Sequence, residues 1–172
     1  MKAKILLLIS LLFADHMVFS QTAEGKNKQK EKTNETVTKI KKMVEARQFE
    51  FKADRAIPLG YESVYLTTGY NFLKISGNKA EAYLPFFGRA YNIGYSDNEG
   101  GIKFDGKMLD YTINPTKNEN ALRVKFSVKN NTDSFDCTLE IYAEGRATLN
   151  VNSQNRAFIS YYGTIQPLKK VE

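Results

Sequence analysis

The sequence predicts a mainly β domain. Its strands form an antiparallel up-and-down meander of about eight or nine, curled into a barrel or folded into a sandwich, with one N-terminal helix. Three observations carry this. Beyond Arg47, apolar residues recur at every second position in segment after segment. Turn-forming pairs such as Gly77-Asn78 and Glu144-Gly145 fall between those segments. Helical spacing is confined to one stretch, 34–46. Alternation broken by hairpin turns marks half-buried antiparallel strands. A sheet of that many strands must close or stack to hide its edges.

In chain order, two lysines within Met1–Lys4 precede the apolar run "ILLLISLLF" (5–13), with Val18 and Ser20 at the two positions a signal peptidase reads. That is the pattern of a signal peptide over 1–20, cut before Gln21. The run is too short for a permanent membrane span, and no other segment is apolar enough to cross. No cysteine lies near the cut to take a lipid. The expected product is therefore exported, periplasmic or secreted, and not a lipoprotein. His16, the single histidine of the chain, leaves with the peptide. Cys137 is the one cysteine, so no internal disulfide can form and packing alone must hold the fold.

The whole chain carries a formal net charge of +6, with lysines concentrated just after the cut. Residues 21–33 lack apolar periodicity and read as a flexible segment, whose lysines would make weak electrostatic contact with anionic surfaces. Nucleic acid is disfavoured as a partner by the compartment. From Thr36 the pattern changes. Val37, Ile40, Met43 or Val44, and Arg47 recur at helical spacing, with Asn34 or Thr33 as N-cap. A single β domain with this N-terminal helix is expected over 34–172.

The strands follow. "QFEFKA" (48–53) alternates Phe49, Phe51 and Ala53 against polar neighbours; "ALRVKFSV" (121–128), "FDCTLEIY" (135–142), "RATLNVN" (146–152) and "AFISYYGTI" (157–165) repeat the pattern. Gly77-Asn78, Asp105-Gly106 and Glu144-Gly145 are expected to turn hairpins, with "NNTD" (130–133) and "NSQN" (152–155) as longer turns. In the last strand Ala157, Ile159, Tyr161 and Gly163 share one face, and Phe158, Ser160, Tyr162 and Thr164 the other. Aromatics on both faces suggest that the strand packs beneath the N-terminal helix. Gly163 marks a bulge or the close approach of another backbone.

Several of these segments carry a resemblance. "FEFKADRAIPL" (49–59), "YLPFFGRAY" (83–91), "GGIKF" (100–104), "GRATLNV" (145–151) and "RAFISYYGTI" (156–165) occur in that order. The chain thereby resembles an exported Bacteroidetes family, domain-of-unknown-function family 4251, over roughly Val37 to Pro167. The resemblance implies an exported, mostly β domain with no assigned activity, and it transfers no catalytic residues.

For function, "YLPFFGRAY" is the densest signal. Pro85 cannot donate to a sheet and Gly88 permits a bend, so a strand end runs into a corner. Leu84 continues the inward set of Ala80 and Ala82, while Tyr83 shares the other face with Lys79 and Glu81. Two readings follow. Phe86 and Phe87 could cap the core, with Arg89 resting near them. Alternatively Tyr83, Phe87, Tyr91 and Tyr95 could line a ligand-binding cleft with Arg89 aimed at an anion or carbonyl, since Tyr and Arg anchor recognition surfaces. The expectation adopted here is that Phe86 is structural and that the Arg89–Tyr91 side faces an open groove.

Catalytic chemistry is sparse. Without a mature histidine there is no Ser-His-Asp triad, no Cys-His pair and no imidazole zinc site. Cys137 alternates with Phe135 and Leu139 and reads as a core residue. "NEGGIKFDG" lacks the spacing of a phosphate loop, and "SDNEGG" has oxygen ligands without EF-hand spacing. Carboxylate pairs remain, with Asp97, Glu99 and Asp105 nearest the aromatic bend. The expected protein is a non-catalytic envelope protein with no catalytic residues, cofactor or metal, binding a small molecule, glycan or envelope protein. The alternative is a carboxylate-based hydrolase such as a glycosidase.

Overall fold

The computed structural model describes residues 35–67, 69–91, 100–116, 121–130 and 133–168. The fold is that of the compact unit Thr36–Glu172. A helix, α1 (35–45), precedes nine strands. They are β1 (Gln48–Pro58), β2 (Val64–Tyr65), β3 (Phe72–Ser76), β4 (Lys79–Pro85), β5 (Gly101–Pro115), β6 (Ala121–Lys129), β7 (Ser134–Tyr142), β8 (Arg146–Ser153) and β9 (Ile159–Pro167). Every pairing is antiparallel, running β1-β3-β4-β5-β6-β7-β8-β9 and back from β9 to β1. Eight strands thus close a barrel, and the two-residue β2 hangs on β1 as an extra strand. Barrel, not sandwich, is the outcome of the predicted meander.

The alternation read in the sequence becomes inside and outside. β7 buries Phe135, Cys137, Leu139 and Ile141, and β8 buries Ala147, Leu149 and Val151. Small residues neighbour large ones within the inward-facing set, as where Ala82 of β4 pairs with Phe104 of β5, and buried residues of all eight barrel strands join in one hydrophobic cluster. Each fully buried large side chain contributes about 1.5–3 kcal/mol of transfer free energy. Burial pushes the Cys137 thiol up from its ordinary pKa, which leaves it a neutral core group.

The closing seam needs one irregularity. Apolar burial on β1 falls at Phe49, Phe51 and Ala53, then at Ala56 and Pro58. A bulge between Ala53 and Arg55 absorbs that change of parity, with Ala53 opposite Gly163 and Arg55 opposite Tyr162. A Cβ on residue 163 would overlap the carbonyl oxygen of Lys52. Only glycine lets the strands meet there, as its mid-strand position suggested.

Two expectations are corrected. Asp105-Gly106 does not turn a hairpin: β5 runs through it, with Asp105 opposite Glu81 and Gly106 opposite Ala80. Lys79 Nζ holds the Asp105 carboxylate at 2.7 Å, and a Cβ on Gly106 would sit 3.2 Å from Val128 Cγ1. The pair serves a surface ion pair and close packing under β6, not a turn. The second correction concerns β9, whose aromatics are engaged away from α1. Tyr161 points inward and donates its hydroxyl to the Pro85 carbonyl at 2.8 Å, at the far end of β4 from the Gly77 hairpin. Tyr162 lies outside, against Arg55.

α1 instead covers the end of the barrel that carries the short hairpins. Ile40 and Val44 are its buried residues. Ile40 Cδ1 reaches 3.8 Å from where a Gly145 Cβ would be, and Tyr111 donates its hydroxyl to the Val44 carbonyl at 2.9 Å. The helix stops at Arg47, which adopts a left-handed φ of 52°. The Arg47 carbonyl accepts a hydrogen bond from Gly77 N, and its guanidinium lies over Tyr111. Among the described residues no helix is long and apolar enough to cross a membrane. The signal-peptide pattern, the lysine-rich segment and the N-cap residues Thr33 and Asn34 lie outside the described residues, as do Tyr95, Asp97 and Glu99.

Candidate functional site

The candidate site is the barrel mouth opposite α1. β4 ends at Pro85, where the missing N–H ends the ladder. Phe86 then folds back: its ring packs against the core cluster, and a Cβ on Gly88 would lie 2.9 Å from Phe86 Cζ. A larger residue at 88 would have to displace the ring beneath it. Beyond it the chain lies along the segment before β9. Ala157 N donates to the Arg89 carbonyl at 2.9 Å, Tyr91 N donates to the Asn155 carbonyl at 2.8 Å, and Ala90 bridges Arg156. Residues 86–91 thus form a strap tied across the mouth by backbone hydrogen bonds.

A polar network supports the strap. Asp133 and Arg156 face each other at 3.8 Å with side chains only 5% and 10% exposed. Asp133 also accepts hydrogen bonds from Ser134 N at 2.8 Å and Ser153 Oγ at 2.7 Å. The Arg156 guanidinium carbon lies 5.6 Å from the centre of the Phe86 ring. Its Nε is buried with no hydrogen-bond partner. Beneath, burial pushes the Tyr161 phenol well above its ordinary pKa, so its proton stays on the bond to Pro85.

The predicted residues divide accordingly. Phe87, Arg89 and Tyr91 are exposed on the strap, Tyr91 by 65% of its surface, while Phe86 packs inward. Tyr83 lies on the outer wall of β4, stacked on Phe72 at 6.5 Å between ring centres, with Lys103 Nζ 4.4 Å from its own ring centre. It belongs to that wall's aromatic pair. Asp105 is held by Lys79, and the hydrogen bond between them keeps the ammonium above its ordinary pKa. Among the described residues no three His, Cys, Asp or Glu side chains gather closely enough to hold a metal.

Among the described residues, three surface concavities lie apart from the strap. One of 430 Å³ runs over the outer wall of β1, β3 and β4 and includes Lys52, Lys74 and Glu81. Another of 240 Å³ lies between α1 and the β6–β7 wall. The third, of 380 Å³, is lined by Arg55, Arg146 and Tyr162 among others. None is lined by Tyr83, Phe87, Arg89 or Tyr91.

Sequence reasoning missed Asp133, Arg156 and Arg55. The first two sit in turns, where no periodicity announces a buried partner. For Arg55 the signal was present, in the parity change from Ala53 to Ala56.

Comparison with known proteins bears on the whole domain. A family model described as "Domain of unknown function (DUF4251)" matches residues 30–165. Among solved structures, the crystal structure of a DUF4251 family protein from Bacteroides eggerthii DSM 20697 superposes with a TM-score of 0.60. The two are 19% identical, over 77% of this chain and 87% of that one. At that identity the likeness is one of fold. No curated protein matches.

Proposed function

This chain belongs to the DUF4251 family, a domain family of unknown function, and from that premise we propose that it is an exported, non-catalytic cell-envelope protein. On this reading it binds a partner through the strap at the barrel mouth. The partner is an extended one, a glycan strand or a protein segment laid along Phe87, Arg89 and Tyr91. The observation that carries the reading is a rigid backbone with outward-facing recognition side chains. Two backbone hydrogen bonds fix residues 89–91, so exposed Arg89 and Tyr91 would lose little entropy on binding.

A photo-crosslinking amino acid at position 91 tests this in the native envelope, with position 70, which is somewhat more exposed, as the control. The expected result is a discrete crosslinked product from position 91 that disappears with Arg89→Ala. Equal crosslinking from both positions, or none from 91, refutes the strap as a binding surface.

A further inference from the structure

We propose that the outer wall of the barrel carries a second binding site, an oxyanion cradle. In it Arg55 and Arg146 hold the carboxylate or phosphate of a small ligand whose apolar face lies against Tyr162. The site is separate from the strap and does not depend on it.

Strand register builds the cradle. Arg55 pairs with Tyr65 of β2 on one side and with Tyr162 of β9 on the other, and Tyr162 in turn pairs with Thr148 of β8. These residues form one row across four strands. The bulge after Ala53 puts Arg55 in that row: without it, the alternation that buries Ala53 would bury residue 55 as well. The Arg55 guanidinium carbon lies 4.8 Å from the Tyr65 ring centre and 5.7 Å from that of Tyr162. The two rings hold the planar fork against the 380 Å³ hollow that Arg146 also lines.

One donor there lacks an acceptor. Arg55 Nε is buried without a hydrogen-bond partner, a state that costs free energy unless something fills it. Among the described residues no ion pair joins either arginine to a carboxylate. Two guanidinium groups face one carboxylate, Glu144, in the lining, which leaves the hollow net positive. A planar fork braced by aromatic rings is suited to a bidentate oxyanion. A tyrosine face beside it suits the C–H face of a sugar or a similar apolar surface.

The test uses the full chain and three probes: glucuronate, glucose 6-phosphate and neutral glucose. Binding is followed by calorimetry and by the NMR signal of the Arg55 Nε–H. The expected result is that at least one anion binds and shifts that signal while glucose does neither; which anion responds identifies the head group. Arg146 is exposed, so Arg146→Gln should leave the melting temperature unchanged and weaken the anion by about tenfold, as loss of one charge-assisted contact does. Glu144→Gln should tighten it, and Arg89→Ala should leave it unaltered. The proposal is overturned if no anion moves the Arg55 Nε–H, if glucose binds as well as the anions, or if Arg146→Gln binds like wild type.

Discussion

Replacing Gly163 with alanine tests the barrel seam. The added methyl would overlap the Lys52 carbonyl oxygen and lie 2.7 Å from its carbon and 3.0 Å from Ala53 Cα. All three atoms are backbone, so no side chain can rotate away and β1 must part from β9. Overpacking of this kind costs about 1–3 kcal/mol, and each ladder hydrogen bond loosened adds about 1 kcal/mol. Against this, alanine restricts the unfolded chain and returns roughly 0.5–1 kcal/mol. The net expectation is a loss of about 3 kcal/mol, which at about 4 °C per kcal/mol for a domain of this size lowers Tm by roughly 12 °C. Circular dichroism melting and urea titration measure it, with Gly100→Ala as the control because nothing lies within 4 Å of its added methyl. If Gly163→Ala melts within about 2 °C of wild type, the seam is not closed by backbone contact as described.

Four further outcomes are expected. Phe86→Ala should cost about 3 kcal/mol as a packed aromatic truncation, whereas Tyr91→Ala should stay within about 0.5 kcal/mol of wild type in the same denaturation assay; equal losses would contradict the division of the strap. Asp133→Ala leaves Arg156 buried without its partner and should cost about 3–5 kcal/mol by urea titration, so a neutral effect would show that the pair is not buried in solution. The Cys137 thiol should resist alkylation in the folded protein and label fast only in denaturant, with Cys137→Ala costing about 1 kcal/mol; rapid native labelling would place it outside the core. Stability should also fall in alkali, because Cys137 and Tyr161 are raised from 9.0 and 10.0 and Tyr111 from 10.0 to about 12. Groups whose folded pKa is raised lend stability that is complete below their unfolded values and is lost as pH climbs towards the folded ones. Tm should therefore hold to about pH 9 and decline above it, and a Tm that stays flat to about pH 11 would rule out the burial of these groups.

Most of the fold was legible because burial leaves a parity in the sequence. Phe135, Cys137, Leu139 and Ile141 alternate and all face inward, and Gly77-Asn78 turns where expected. Asp105-Gly106 misled because the same pair suits a hairpin and a tight strand crossing equally well; only its cross-strand neighbours Glu81 and Ala80 decide. The position of α1 was not legible either, since an amphipathic stripe says that a face is buried but not against what. At the candidate site, exposed Arg89 and Tyr91 and packed Phe86 were readable from the proline and glycine that bend the chain. Asp133 and Arg156 were not, because their partnership joins two turns that only the folded barrel brings together.

The pairing of β1 with β9 has a consequence for how the protein comes into being. Phe49 pairs with Pro167, so the first long strand waits for the last one. As the chain emerges into the compartment where it folds, the hairpins from β3 to β8 can form in order, yet β1 keeps a bare edge until β9 arrives. Contacts this distant in sequence make folding slow. For that interval two unpaired edges, β1 and β8, remain open to other chains. A message broken off before residue 159 would yield no smaller barrel but an open sheet with adhesive margins, and quality control would have to treat it as waste.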